Sequence, residues 1–376
     1  MTHSHTFGIV GGYGATGTAV ATELLKSSSG EILIGGRDLS KASALAARLG
    51  SRVSAAQSDV LDPRSLDDFC SRCSILINCA GPVSALQDRV AQAALRSRSH
   101  YVDLASLTFV KERMSPHSQQ IADLGLSFVI SAGWMPGISE LVPAYAHAVA
   151  RSKMDSIESV SVYFSDSGEW SDNALRDGAW FVHHAGFPRP GYFRKGQRTP
   201  VKMSAASRFF DLGDPVGRRR FSLVSVPELD DLGRRLTDCD VFINSYLSGF
   251  RTAAAAMLMA LLPLPGRLGV RLFRNIFRRN RLPVDGFALA QVLGRSQERQ
   301  CTFTTQVVYR NRRDYWINAL VPATVARLIC QRNSVLPGLH YLSAAVDPVA
   351  FMAELQRSGL EQTEFFQHYA PAVNPS

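Results

Sequence analysis

Between residues 7 and 133 short apolar runs alternate with longer segments whose apolar residues recur at helical spacing. "FGIV" (7–10), "EILIGG" (31–36), "VSAAQSDV" (53–60), "SILINCAGP" (74–82), "HYVDLAS" (100–106) and "LSFVISAG" (126–133) read as strands. Between them, "TGTAVATELLK", "LSKASALAARL", "PRSLDDFCSR", "ALQDRVAQAALRSR" and "PHSQQIADLG" read as helices, the second with Ser40 as its N-cap. Strand after strand separated by a helix predicts a parallel, doubly wound sheet. After "GWMPG" the rhythm changes. Extended segments cluster at "IESVSVYFSD", "FSLVSVPEL", "CDVFINSYL" and "RQCTFTTQVVYR", rich in Val, Phe, Tyr and Thr. The chain closes on two helical patterns, "PATVARLICQR" and "DPVAFMAELQRSG". The fold class expected is α/β: a Rossmann domain over residues 1–133 and an α+β domain with a largely antiparallel sheet over 134–334.

Composition changes this picture little. With 376 residues, 46% of them hydrophobic, the chain is long enough for two cored domains. No signal peptide is visible, and the longest apolar stretch, "AAAAMLMALLPLPG" (253–266), is shorter than the ~20 residues of a spanning helix. Six cysteines give no disulfide framework, and the Cys70–Cys73 pair has no second CxxC or nearby His pair to make a metal site. These features point to a soluble cytoplasmic protein. The net charge of +9 gathers in arginines around Arg218–Arg220 and from Arg267 to Arg281. No zinc-finger, RNP or helix-turn-helix pattern makes nucleic acid the partner. The apolar-basic stretch 253–281 instead leaves open a peripheral membrane or acidic carrier-protein contact, beside the plain reading of an amphipathic helix over the core.

The chemistry concentrates at strand ends. Gly12, Tyr13, Gly14, Ala15, Thr16 and Gly17 satisfy G-x-G-x-x-G directly after a strand and at the mouth of a helix. Gly12 is expected to permit the tight turn, Gly14 the approach of a pyrophosphate, and Gly17 close helix packing. After the second strand an NAD site usually places Asp or Glu for the ribose. Here Gly36 and Arg37 stand instead, with Ser40 and Lys41 following. A glycine leaves room for a 2′-phosphate and a guanidinium grips it, which favours NADP(H). Asp59 and Val60 are placed to meet adenine, and Cys79, Ala80, Gly81 and Pro82 to let the nicotinamide half pass.

"GGYGATG", "IGGRD", "SDVLD", "LINCAGP" and "HYVDLAS", in this order and spacing, resemble the NADP-binding domain of saccharopine dehydrogenase-like (saccharopine reductase-like) oxidoreductases. The late segment "LPGLHYLSAAVDPVAFMAELQRSGLE" also looks like that group's C-terminal region. The resemblance implies that 335–376 packs back on the Rossmann domain, and that the second domain serves substrate and homodimer contacts. It further implies NAD(P) chemistry on C–N or C=C bonds, including imine reduction, with enoyl reduction in lipid assembly among relatives.

No tyrosine has a lysine four residues later, so the short-chain dehydrogenase Tyr-x-x-x-Lys device is absent. Candidate proton donors are Asp103 and Tyr101 after the fifth strand and His183 in the second domain. Trp134, Met135, Pro136 and Trp170 are candidate pocket walls. Adjacent His183 and His184 are not spaced as ligands, and no metal is expected. The function expected is NADP(H)-dependent reduction of a C=N bond in a small metabolite or natural-product intermediate. The alternatives are enoyl reduction on a lipid or polyketide chain, and a non-catalytic NADP-binding or membrane-associated scaffold.

Overall fold

The computed structural model describes residues 5–106, 108–166, 170–185, 190–246, 271, 274, 284–310, 315–331 and 334–369, the side chains of 182–185 apart. The chain divides into two compact units. One comprises Met1–Ile138 with Asp314–Ser358, the other Ser139–Arg313 with Gly359–Ser376.

The first unit carries strands β1 (Thr6–Val10), β2 (Glu31–Gly36), β3 (Val53–Gln57), β4 (Ile75–Asn78), β5 (His100–Asp103) and β6 (Ser127–Ile130). The second carries β7 (Ser156–Asp166), β8 (Gly191–Arg194), β9 (Gln197–Pro200), β10 (Ser207–Asp211), β11 (Arg218–Leu223), β12 (Asp240–Ser245), β13 (Gly286–Ser296) and β14 (Arg299–Tyr309). β15 (Gly338–Tyr341) returns to the first unit and β16 (Gln362–His368) to the second.

The first sheet runs β15-β6-β5-β4-β1-β2-β3, every pairing parallel. Its strands are short and, the edge strand β3 apart, largely buried on both faces, as an apolar run without alternation requires. The order reverses between β1 and β4, where open α/β sheets place their ligand crevice. One core cluster gathers Leu33, Phe69, Leu76, Tyr101, Phe128 and Tyr341. Elsewhere α1 (Ala15–Ser27) packs against the helix Trp316–Ile329, which also meets β4 and β5. This return helix and β15 explain why the first unit claims the chain from Asp314 to Ser358, where the resemblance implied a return at 335–376. Residues 359–376 belong instead to the second unit, because β16 hydrogen-bonds along β14.

The second sheet has nine strands, β10-β11-β12-β7-β13-β14-β16, with β8 beside β12 and β9 beside β8. Only β7–β12 is parallel. An aromatic cluster of Tyr163, Phe221 and Phe287, with Phe210 and Tyr246 against it, fills part of its core. Among the described residues no helix is long and apolar enough to cross a membrane. The stretch 253–281 lies outside them apart from Arg271 and Arg274, the latter bonded to Asp172.

Three local readings are corrected. Asp38, not Ser40, caps α2 (Leu39–Leu49): its carboxylate accepts from the Lys41 amide at 3.1 Å. "PEL" at 227–229 opens a helix, Pro227–Arg235, because Pro at a first turn forfeits no bond. Pro322 lies inside its helix rather than at its start, freeing the Asn318 backbone carbonyl that its missing N–H would have met.

Candidate functional site

At the end of β1 the chain turns through Gly11, whose φ of 75° is left-handed. A Cβ on Gly11 would lie 2.9 Å from the Ala80 backbone, so this glycine brings the β1 turn against the β4 turn. The tight-turn role expected of Gly12 therefore falls to Gly11, although Gly12 is also crowded, 2.9 Å from the Ile9 carbonyl. Its amide donates to the Gly35 carbonyl at 2.8 Å. On Gly17 a Cβ would meet the Gly11 carbonyl and Gly12 Cα at 2.6 Å, the close packing of helix on turn. Gly14 is exposed, and a Cβ there would meet only the Gly11 carbonyl, at 3.2 Å. It stands at the N-cap of α1, where no side chain caps the helix and no acid occupies the first turn. The orphan amides of Ala15 and Thr16 and the positive end of the helix dipole are left to an anion.

β2 ends on two glycines that admit a ring on each face. A Cβ on Gly35 would come 2.6 Å from Phe69 Cζ on the core side. One on Gly36 would collide with the ring of Tyr13. The space over Gly36, expected to receive a phosphate directly, is thus bounded by Tyr13, whose hydroxyl accepts from the Asp38 amide at 3.4 Å. Asp38 also pairs with Lys41 Nζ at 3.4 Å. The Lys41 amide above all, with the Lys41 ammonium, holds the Asp38 carboxyl below its usual range. Arg37 is exposed and forms no ion pair among the described residues; Ser40 and Lys41 are exposed beside it. Of the three candidate anion contacts, Arg37 is the cation left uncommitted.

Three more strands end on the same side. Asp59 follows β3, its Oδ1 accepting from Leu61 N at 3.0 Å in a local turn, while Val60 is buried. Asn78 ends β4; its Oδ1 holds the Ala80 amide at 3.1 Å and its Nδ2 donates to the Tyr101 hydroxyl at 3.3 Å. This fixes the turn carrying Cys79, Ala80, Gly81 and Pro82. Burial raises the Cys79 thiol well above its usual range, so it is a neutral wall and not a nucleophile.

Asp103 ends β5. It is 1% exposed, and its Oδ1 accepts from Ser131 N at 2.8 Å, while Oδ2 has no hydrogen-bond partner. Desolvation pushes this carboxyl up to about 7, against the opposing pull of the Ser131 amide and the Tyr101 hydroxyl. Tyr101 is fully buried, its ring 5.4 Å from that of Phe128. Both side chains lie beneath the surface rather than at the rim, because residues i and i+2 of one strand share a face and this face is core.

"GWMPG" closes on itself. The Gly133 amide donates to the Pro136 carbonyl at 2.9 Å, and Ile138 N to the Gly133 carbonyl at 3.1 Å. Gly137, at φ 126°, lies against the Gly133 backbone. Trp134 is 2% exposed and its amide donates to Asn318 Oδ1 at 3.1 Å. Trp134 is thus buried, while Met135 and Pro136 are half-buried. The sequence offered no signal for Asn318, which lies 184 residues away. Trp170 belongs to the second unit, where its indole donates to Asp166 Oδ2 at 3.1 Å. His183 falls on the helix Asp172–Ala185, and its side chain lies outside the described residues.

Residues 7–129 match the family model of the saccharopine dehydrogenase NADP binding domain. The human saccharopine dehydrogenase-like oxidoreductase is 24% identical over 148 residues, which cover 39% of this chain and 34% of that protein. The rat protein of the same description is 23% identical over 150 residues, 40% of this chain and again 34% of its own. The match thus spans about a third of the length of these curated relatives. Among solved structures, the apo saccharopine dehydrogenase (L-Glu forming) of Saccharomyces cerevisiae superposes with a TM-score of 0.64 at 13% identity. That likeness covers 96% of this chain and 100% of the yeast chain, and it shows the fold. Residues 7–129 are thus similar to an NADP-binding domain of the saccharopine dehydrogenase type.

Proposed function

We propose that the protein is an NADP(H)-dependent oxidoreductase that reduces the C=N bond of a small imine. The observation that carries the cofactor preference is Arg37, exposed and without an ion pair among the described residues at the end of β2, where an NAD site would present a carboxylate. Asp38, the first acid after β2, has its carboxylate engaged by the amide and ammonium of Lys41. A 2′-phosphate is the ligand group that the Arg37 guanidinium fits.

The N-terminal amides of α1 and the bare Gly14 hold the pyrophosphate, and Asn78 holds the Ala80 turn that borders the cofactor's path. NADPH, when bound, supplies the hydride. An iminium reaches the site already carrying its proton, so the protein's task is to bind and orient it and to exclude water. The enoyl alternative, implied by the resemblance, is favoured by the apolar-basic stretch 253–281, most of which lies outside the described residues.

The test is consumption of NADPH by the purified protein with amines mixed with aldehydes or keto acids, set against a panel of enones. Turnover with imine-forming pairs and none with enones is expected. Turnover with enones alone would transfer the proposal to C=C bonds, and none with either would end the enzymatic reading.

A further inference from the structure

The second unit brings together three ligating side chains that the cofactor chemistry does not use. His147 lies on the helix Ile138–Lys153, and Asp238 and Cys239 lead into β12. Both Asp238 carboxylate oxygens stand 3.0 Å from His147 Nε2. The nitrogen, a carboxylate oxygen and the Cys239 sulfur all lie within 4.8 Å of one another. Among the described residues this is the one group of three or more His, Cys, Asp and Glu side chains so disposed. We propose that His147, Asp238 and Cys239 form a binding site for a divalent transition-metal ion of the zinc class.

The donor set defines the ion. One imidazole nitrogen, one carboxylate oxygen and one thiolate sulfur are the mixture borderline-soft Zn2+ takes, whereas calcium and magnesium want oxygen alone. Tetrahedral zinc holds such donors at about 2.0–2.3 Å, which sets neighbouring ligand atoms roughly 3.5 Å apart. The present spacing needs only closure by about an ångström, within reach of side-chain rotation. The fourth position goes to water: His147 and Cys239 are buried, but Asp238 is 39% exposed and opens the site to solvent.

Protons and charge balance. The ion takes Nε2 unprotonated, the ring proton residing on Nδ1, and the Cys239 thiol proton leaves to solvent. Asp238 is already ionised: partial burial raises its carboxyl, but His147, its own backbone amide and Arg151 together hold it below the usual range. One carboxylate and one thiolate then neutralise a dication. Without an ion Cys239 is an inert thiol, pushed up to about 12 by burial and by Asp238 beside it. Arg151, 3.5 Å from Asp238 Oδ2 and largely exposed, is the competitor that the ion displaces.

The test is titration of the full-length, metal-stripped protein with Co2+ and then Zn2+. Co2+ is expected to give a thiolate-to-cobalt charge-transfer band in the near ultraviolet, at one ion per chain, which Zn2+ abolishes. Cys239→Ser should lose the band although the other five cysteines remain. His147→Gln should weaken binding at least tenfold. Arg151→Gln leaves all three ligands in place, so the proposal stays testable if the ligand variants misfold; it should tighten Co2+ binding severalfold. Absence of the band in wild type, its persistence in a folded Cys239→Ser protein, or unchanged or weaker affinity in Arg151→Gln would overturn the site.

Discussion

At Gly35 and Gly36 two aromatic rings approach the end of β2 from opposite faces, with different freedom to yield. Phe69 is 1% exposed within the core, so the Cβ of Gly35→Ala has no slack to push against. We expect that variant to lose about 1–3 kcal/mol, the range of overpacking. Tyr13 is half-buried in the ligand-binding turn and can swing aside. Gly36→Ala should therefore cost much less stability while weakening NADPH. Thermal melts and NADPH titrations on the two variants check this; equal losses of stability would mean that the Tyr13 ring is as fixed as Phe69. Asp103 supplies a second residue-scale prediction. In the unfolded chain it ionises near 3.8, but in the folded protein only near 7. As pH rises through that window the unfolded state releases the proton first, so the group's contribution to stability falls and levels off above 7. The fall is at most about 4 kcal/mol. Asp103→Asn does not titrate, and should gain on wild type between pH 4 and pH 8 in denaturant melts; parallel curves would contradict the shift. Glu228, pushed up to about 7 by burial, is common to both proteins and cancels.

The elements differ in how far the sequence revealed them. β1, β2, β4 and β6 declare themselves because a strand buried on both faces reads as a largely apolar run, and β5, though "HYVD" has polar ends, is followed like them by helical spacing. β15 and β16 do not: "GLHY" and "QTEFFQH" are short and mixed, and long-range pairing alone makes them strands. The helix Trp316–Ile329 was half legible, since Pro322 looked like a start although the apolar turn before it is helical and largely buried. The candidate site was legible wherever a local motif sufficed, as in the glycines and Arg37. It was hidden wherever a partner lay far along the chain: Asn318 under Trp134, Tyr13 over Gly36, Asp238 against His147. Asn318 lends itself to a test. Asn318→Ala leaves the Trp134 amide without its acceptor and should destabilise the protein by about 1–3 kcal/mol, whereas Asn318→Asp keeps an acceptor and should lose less. Equal losses would assign Asn318 to packing.

For the whole molecule, the division of the chain matters most. The first unit is assembled from Met1–Ile138 and Asp314–Ser358, the second from Ser139–Arg313 and Gly359–Ser376. Return of the chain covers α1 and adds β15 beside β6. Without residues 314–358, α1 loses the helix packed against it and β6 loses β15, at about 1.5–3 kcal/mol for each large apolar side chain exposed. A fragment ending at Ile138 is therefore expected to be aggregated or unfolded by circular dichroism and not to bind NADPH; a folded, binding fragment would show that the return segment is dispensable. The central claim, that this unit reads the 2′-phosphate through Arg37, is tested most directly by titrating wild type and Arg37→Ala with NADPH and NADH by intrinsic fluorescence. Wild type should bind NADPH at least ~10-fold more tightly than NADH, about 1.4 kcal/mol, and Arg37→Ala should remove that margin while leaving NADH nearly unchanged. Equal weakening of both cofactors, or no preference in wild type, would contradict it.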